Sequence, residues 1–270
     1  MFTKLLAYEI RSRFRADARS FGAFIAVIAV AAGIVAAGLP GISGSTAFLA
    51  YALCALTPVT CAIAAMADYW KTLYGQRGYF TMSLPVSGKV IFWAKNTRIM
   101  IECLLALALA VGGIIAVASA AAWSDGISLA EYTAGPRSQL AIFSPSVQVI
   151  LIMSQLIACA SMIVQVCAVM TLAAEGRFNH MGFGAVAIGL VLLYIVNQIL
   201  SGVGTFFLPF SITPDGHFST EGMWSSYRAA LETGAEPTVW GMGACIVIPI
   251  FALLLAAWAS RSIEKHTSLR

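Results

Sequence analysis

The chain has 270 residues, of which 60% are hydrophobic and only 10% carry a formal charge. A water-facing surface usually needs about a quarter of its residues charged, so an ordinary soluble domain is excluded. The net charge of +4 does not indicate nucleic acid, because the Lys and Arg residues sit in short segments between long apolar runs, where they fit membrane orientation.

Residues 1–20 read as an amphipathic helix lying along the cytoplasmic interface. Phe2, Leu6, Ile10 and Phe14 recur every four residues, while Lys4, Arg11 and Arg15 point the opposite way. Glu9 and Arg13 interrupt the apolar face and, four residues apart, are expected to pair with each other. Such a segment either anchors and orients the first span or acts as a connecting helix that also touches a partner subunit.

Crossing about 30 Å of hydrocarbon takes about 20 helical residues. Six runs meet that requirement: Phe21 to Leu39, Thr46 to Ala67, Ile99 to Ala122, Val147 to Ala174, Met181 to Pro209 and Val239 to Ser260. The first, with 19 residues, is longer than a cleavable signal core and reads as an uncleaved span. A transmembrane barrel would show short alternating segments instead. The expected fold is all-α: a single transmembrane domain over 1–270, with six transmembrane helices. The N-terminal segment, the second and fourth connections and the tail hold fourteen of the sixteen Lys and Arg residues. The alternate connections hold only Arg137 and Arg228, so the positive-inside rule places the N and C termini in the cytoplasm.

The second connection, Asp68 to Arg98, is a cytoplasmic loop of 31 residues in which aromatics and cations alternate before Leu84-Pro85 turns the chain. Tyr69, Trp70, Tyr74, Tyr79 and Phe80 would be unfavourable in water, so lipid headgroups or another protein must cover them. Glu102 is the one ionisable residue inside a span. It lies near the cytoplasmic start, with Arg98 four residues earlier as a ready partner, and a structural ion pair is favoured over a proton relay.

On the fourth span, Ser154, Ser161 and Gln165 share a face, and Gln148 and Gln155 lie roughly 100° round from them at the helical step. Asn197 and Gln198 add polar groups to the fifth span. Such groups face other helices or a cavity, so they read either as interhelical hydrogen bonds or as a substrate path. The outer connection, Phe210 to Thr238, contains a helical pattern with Met223, Trp224, Tyr227, Ala230 and Leu231 on one face, which suits an interfacial helix. All six cysteines fall inside apolar runs, where they act as small buried hydrophobes rather than as a disulfide or zinc framework.

No phosphate-binding Gly-x-x-x-x-Gly-Lys-Ser/Thr loop, Gly-x-Ser-x-Gly or His-Glu-x-x-His occurs, and His180, His217 and His266 are isolated in sequence. An enzyme with its own active site is therefore not indicated.

The run Tyr74-Gly75-Gln76-Arg77-Gly78-Tyr79, continued to Leu84-Pro85-Val86-Ser87 and then Lys95, resembles the first cytoplasmic loop of exporter permeases of the second ATP-binding cassette type. The layout is similar too: an amphipathic N-terminal helix, six spans, a long first cytoplasmic loop and a long outer loop before the last span. Phe80 stands where leucine is common in that family. The resemblance implies a coupling helix docking in a cleft of a cytosolic ATPase subunit, carried here by Tyr69, Trp70, Tyr74, Gly75, Arg77, Gly78, Tyr79 and Pro85. It also implies a re-entrant helix in the outer loop, a second copy of the chain or a related permease, and a place in the cytoplasmic membrane. ATP and Mg would be bound by the partner ATPase, with no cofactor on this chain. The cargo is read from the spans instead: an apolar path dotted with the amides and hydroxyls of Ser154, Gln155, Ser161, Gln165, Asn197 and Gln198 suits a drug-like, peptidic or lipid-like amphiphile better than ions. Two other classes fit the same spans: a transporter driven by an ion gradient with Glu102 as coupling site, and a membrane scaffold or immunity protein.

Overall fold

Backbone N–H and C=O groups have no partner in hydrocarbon, so apolar runs must close into helices. The protein, a computed structural model describing residues 1–75, 78–83 and 85–265, does so throughout. Its elements are α1 (Phe2–Ala36), α2 (Ser43–Leu73), α3 (Gly78–Met82), α4 (Gly88–Ser124), α5 (Leu129–Tyr132), α6 (Ala134–Leu140), α7 (Pro145–Ala173), a 3-10 turn (Gly176–Met181), α8 (Phe183–Phe207), β1 (Ser211–Ile212), β2 (Phe218–Ser219), α9 (Met223–Thr233), β3 (Trp240–Gly241) and α10 (Ala244–Lys265). Among the described residues six helices, α1, α2, α4, α7, α8 and α10, are long and apolar enough to cross a membrane. The architecture is that of an all-α, multi-pass membrane protein.

Several boundaries differ from those read in the sequence. α1 runs from Phe2 to Ala36 with no break near residue 20, so the amphipathic segment and the first span are one helix. α2 continues to Leu73 and α4 starts at Gly88, which shortens the second connection to residues 74–87. Charged residues do not stop a helix; they only mark where hydrocarbon ends. The last helix begins at Ala244 rather than Val239, because Trp240 and Gly241 are drawn into a strand beside Ser211 and Ile212.

The chain forms two compact units: residues 1–73 with 80–137, and residues 74–79 with 138 onward. In the first unit, α4 packs against both α1 and α2. The buried residues at mid-helix are mostly small, Ala50, Cys54 and Ala110 with Ile28 and Val117. Large side chains such as Val30, Phe48, Ile63 and Ile115 point outward, more than half exposed. This inversion of a soluble core is what lipid allows, since helices in lipid associate through close packing rather than through the hydrophobic effect. Gly113 shows the closeness: a Cβ there would lie 2.7 Å from Cys54 Sγ.

In the second unit α7 is packed by α8 and α10, and residues 163–171 are buried without interruption. The connection after α8 forms a small antiparallel sheet of order β2-β1-β3, in which Ser211 faces Ser219 and Gly241. α9 lies against the end of α8 through Trp224 and Tyr227, whose rings meet Phe206 at 6.2 and 5.8 Å. Its buried residue is Ser226, which accepts from Thr238 N at 2.7 Å. The inward face thus runs through Ser226 rather than through Leu231, which is exposed.

Candidate functional site

Charged side chains on three helices of the first unit meet at one end. Glu9, Arg13 and Asp17 recur every four residues on α1, Asp68 and Thr72 are four apart on α2, and Lys95, Arg98 and Glu102 recur at three and four on α4. Each set forms a stripe on its helix, and the packing of α1 and α2 on α4 turns the stripes toward one another. Lys95 Nζ donates to Glu9 Oε1 at 2.9 Å and to Thr72 Oγ1 at 3.0 Å. Arg13 Nη1 donates to Asp68 Oδ1 at 3.0 Å, and Arg98 Nη2 to Asp68 Oδ2 at 3.3 Å. Arg98 Nη1 donates to Glu102 Oε2 at 2.7 Å, and Arg13 Nε approaches Asp17 Oδ1 at 3.7 Å.

Glu9, Lys95, Arg98 and Glu102 are all buried, between 3% and 8% exposed. Ions taken out of water at this depth persist only when paired and hydrogen-bonded. The expected Glu9–Arg13 contact along α1 is replaced by cross-helix pairs, because α4 offers Glu9 a buried ammonium and α2 offers Arg13 a carboxylate. The packed face of the N-terminal segment is accordingly the charged one. Ile10 and Phe14, expected on a common apolar stripe, are 38% and 64% exposed. Spacing alone carries Arg98 to Glu102, whereas Asp17, Asp68 and Lys95 join the cluster through helix packing; the signal for them in the sequence is the recurrence at three or four residues on each helix.

The residues of the second connection do not stay together. Tyr69 and Trp70 belong to α2, and Tyr69 is buried, so its ring is not left facing water. Tyr74 and Gly75 are half-buried, Gly78 is buried at the start of α3, Pro85 is exposed, and Tyr79 is 55% exposed on α3. Arg77 lies outside the described residues. The hydroxyl of Thr81, on α3, donates to Thr72 O at 2.9 Å.

The polar residues of the fourth and fifth spans do not converge on one path. Asn197 Nδ2 donates to Gln165 Oε1 at 2.7 Å, and Gln165 Nε2 to Ile248 O at 3.3 Å, tying α7, α8 and α10 together. Ser154 and Ser161 return their hydroxyls to Leu151 O and Ile157 O of their own helix. Gln155 and Gln198 are exposed, and Gln148 donates to Leu140 O and Phe143 O. The cysteines are free; Cys54 and Cys167 are buried, whereas Cys159 is exposed on the membrane-length surface of α7. Among the described residues no group of three or more His, Cys, Asp or Glu is arranged to hold a metal ion.

No family model, curated protein or solved structure matches the chain.

Proposed function

We propose that the chain is the membrane-spanning permease subunit of an ATP-driven exporter of the second ATP-binding cassette type, moving an amphiphile across the cytoplasmic membrane. The observation that carries this reading is the Tyr74-to-Ser87 sequence pattern on a connection whose short helix α3 displays Tyr79 to solvent. An exposed aromatic two residues after a cation in the sequence suits a cleft on a protein partner. The termini and this connection face the cytoplasm, as the distribution of Lys and Arg requires. A cytosolic ATPase binds ATP and Mg, and a second permease chain completes the path. The amphipathic start of α1 lies where its basic residues meet the headgroups, and α9 caps the outer end with its aromatic side.

The charged cluster gives the reading a mechanism. α3 is tied to the end of α2 by Thr81, and α2 is ion-paired to α1 and α4, so a push on the connection moves three helices as one body. The test is affinity purification of the tagged chain in mild detergent from cells expressing it. A nucleotide-binding subunit is expected to co-purify and to be lost with Tyr79→Ala or Arg77→Glu. No such subunit, or retention unchanged in both variants, refutes the proposal. A gradient-driven transporter is the second reading, favoured by the placement of Glu102 beside a cavity. Uptake by the reconstituted chain alone, abolished by Glu102→Gln, would establish that reading instead.

A further inference from the structure

Within the first unit a cavity of about 460 Å³ runs along the seam of α1 and α2 and reaches α4 at Glu102. From Arg13 to Val27 its α1 wall covers fourteen helical steps, about 21 Å at 1.5 Å per residue. Phe21, Phe24, Val27 and Leu53 make one stretch apolar. The hydroxyls of Thr57 and Thr60, also in the wall, already donate to Leu53 O and Leu56 O of their own helix. The recognition chemistry therefore falls to the charged end.

There the ions form an alternating chain, Asp17–Arg13–Asp68–Arg98–Glu102, with a carboxylate at each terminus. Three carboxylates face two guanidinium groups, one negative charge in excess, while Glu9 and Lys95 neutralise each other separately. Both terminal carboxylates line the cavity. Arg13 also borders it; its Nη1 is held by Asp68 at 3.0 Å, while its buried Nε has no hydrogen-bond partner among the described residues. Asp17 approaches Arg13 at 3.7 Å, and among the described residues the second oxygen of Glu102 accepts only from the Cys61 thiol, at 3.7 Å. Acceptor capacity is thus left over on the two groups that border the cavity, next to apolar walls.

We infer that this cavity binds a lipophilic monocation, its positive head between Asp17 and Glu102 and its apolar body against Phe21, Phe24, Val27 and Leu53. A cation restores neutrality to the ion chain, whereas an anion would add to the excess charge in a poorly screened site. The inference deepens the export reading by naming its cargo class, and rests on that reading only for transport, since binding needs this chain alone.

The probe is radiolabelled tetraphenylphosphonium, titrated onto the purified full chain in phosphatidylcholine nanodiscs with empty nanodiscs as background. Saturable binding near one per chain is expected. Asp17→Asn should weaken it by about tenfold or more, the loss of one charge-assisted contact. Val27→Trp should abolish it by filling the apolar end, while Ile63→Trp, outside the cavity wall, should leave it intact. Titrated separately, the similarly shaped anion tetraphenylborate should show no saturable binding. Thermal unfolding of each variant checks that it is folded; should Asp17→Asn not fold, Val27→Trp and the tetraphenylborate titration decide. Binding that does not saturate, that survives Asp17→Asn or Val27→Trp in a folded chain, or that tetraphenylborate matches overturns the inference, the first two being the signature of ordinary lipid partition. No ATPase co-purifying with the parent chain, with binding retained, overturns the export reading alone, and the reverse result overturns this site alone.

Discussion

Removing one member of the Glu9–Lys95 pair is the sharpest test of the charged cluster. The side chains are 10% and 4% exposed and 2.9 Å apart, and they join α1 to α4 across 86 positions of sequence. In Glu9→Leu the Lys95 ammonium keeps, among the described residues, only the Thr72 hydroxyl, and a buried charge stripped of its counter-ion costs about 3–5 kcal/mol. Lys95→Met leaves the Glu9 carboxylate in the same position and should cost a similar amount. For a domain of this size that amounts to a fall in unfolding midpoint on the order of 10 °C. The double variant Glu9→Leu/Lys95→Met removes both ions and replaces them by apolar groups, so it should recover most of the loss rather than add to it. The assay is thermal unfolding in detergent followed by tryptophan fluorescence, with four proteins forming a double-mutant cycle. Single variants within about 0.5 kcal/mol of the parent, the range of an ordinary surface change, would refute the buried pairing, as would a double variant as unstable as the sum of the two.

Gly113→Ala should destabilise the first unit by about 1–3 kcal/mol, because its new methyl meets Cys54 Sγ; Cys54→Ala in the same chain should restore the unfolding midpoint. Asn197→Leu removes the donor to Gln165 and is expected to cost about 0.6 kcal/mol and at most about 1.7, the range for interhelical hydrogen bonds in lipid, read by the same unfolding assay. Glu175→Ala removes the acceptor of the Ser262 hydroxyl, 2.7 Å away and buried, together with the partner of Arg177. Hydrogen bonds to charged groups are worth about 1.5–3 kcal/mol, so amide exchange at the end of α10 should accelerate, and unchanged exchange would count against the contact.

The spans were legible because hydrocarbon imposes a single length and a single backbone solution, and apolar runs record both. The helix ends were not, since Lys71, Lys89 and Lys95 suit a helix as well as a loop. The same ambiguity placed Tyr69 and Trp70 in a solvated connection, whereas two further turns of α2 bury Tyr69. On α1 the apolar positions at 2, 6, 10 and 14 compete with the charged ones at 9, 13 and 17 for the inward face. Hydrophobic periodicity favours the first set. The choice is made by partners on α2 and α4, which no pattern local to residues 1–20 contains. The strand at Trp240–Gly241 was hidden for a related reason, because an apolar run beside a span reads as more span until its pairing with Ser211 and Ile212 is known.

Lipid explains why ions rather than aliphatic side chains specify the contact among α1, α2 and α4. Large apolar groups such as Val30, Ile63 and Ile115 are as well solvated by hydrocarbon as by a neighbouring helix, so they carry little information about which helix should pack where. Small residues let helices approach, as at Gly113 and Cys54, but a seam of small residues permits sliding along the axis. The charged stripes remove that freedom. A shift of one turn, about 5.4 Å, would separate Lys95 from Glu9 and both arginines from Asp68 at once, leaving several buried ions without partners. The register of three helices is therefore fixed at one end by electrostatics, while close packing along their length sets how near they lie. The imbalance at Asp17 and Glu102 stands out against that arrangement, because register needs every ion paired and these two carboxylates retain unused acceptors facing a cavity.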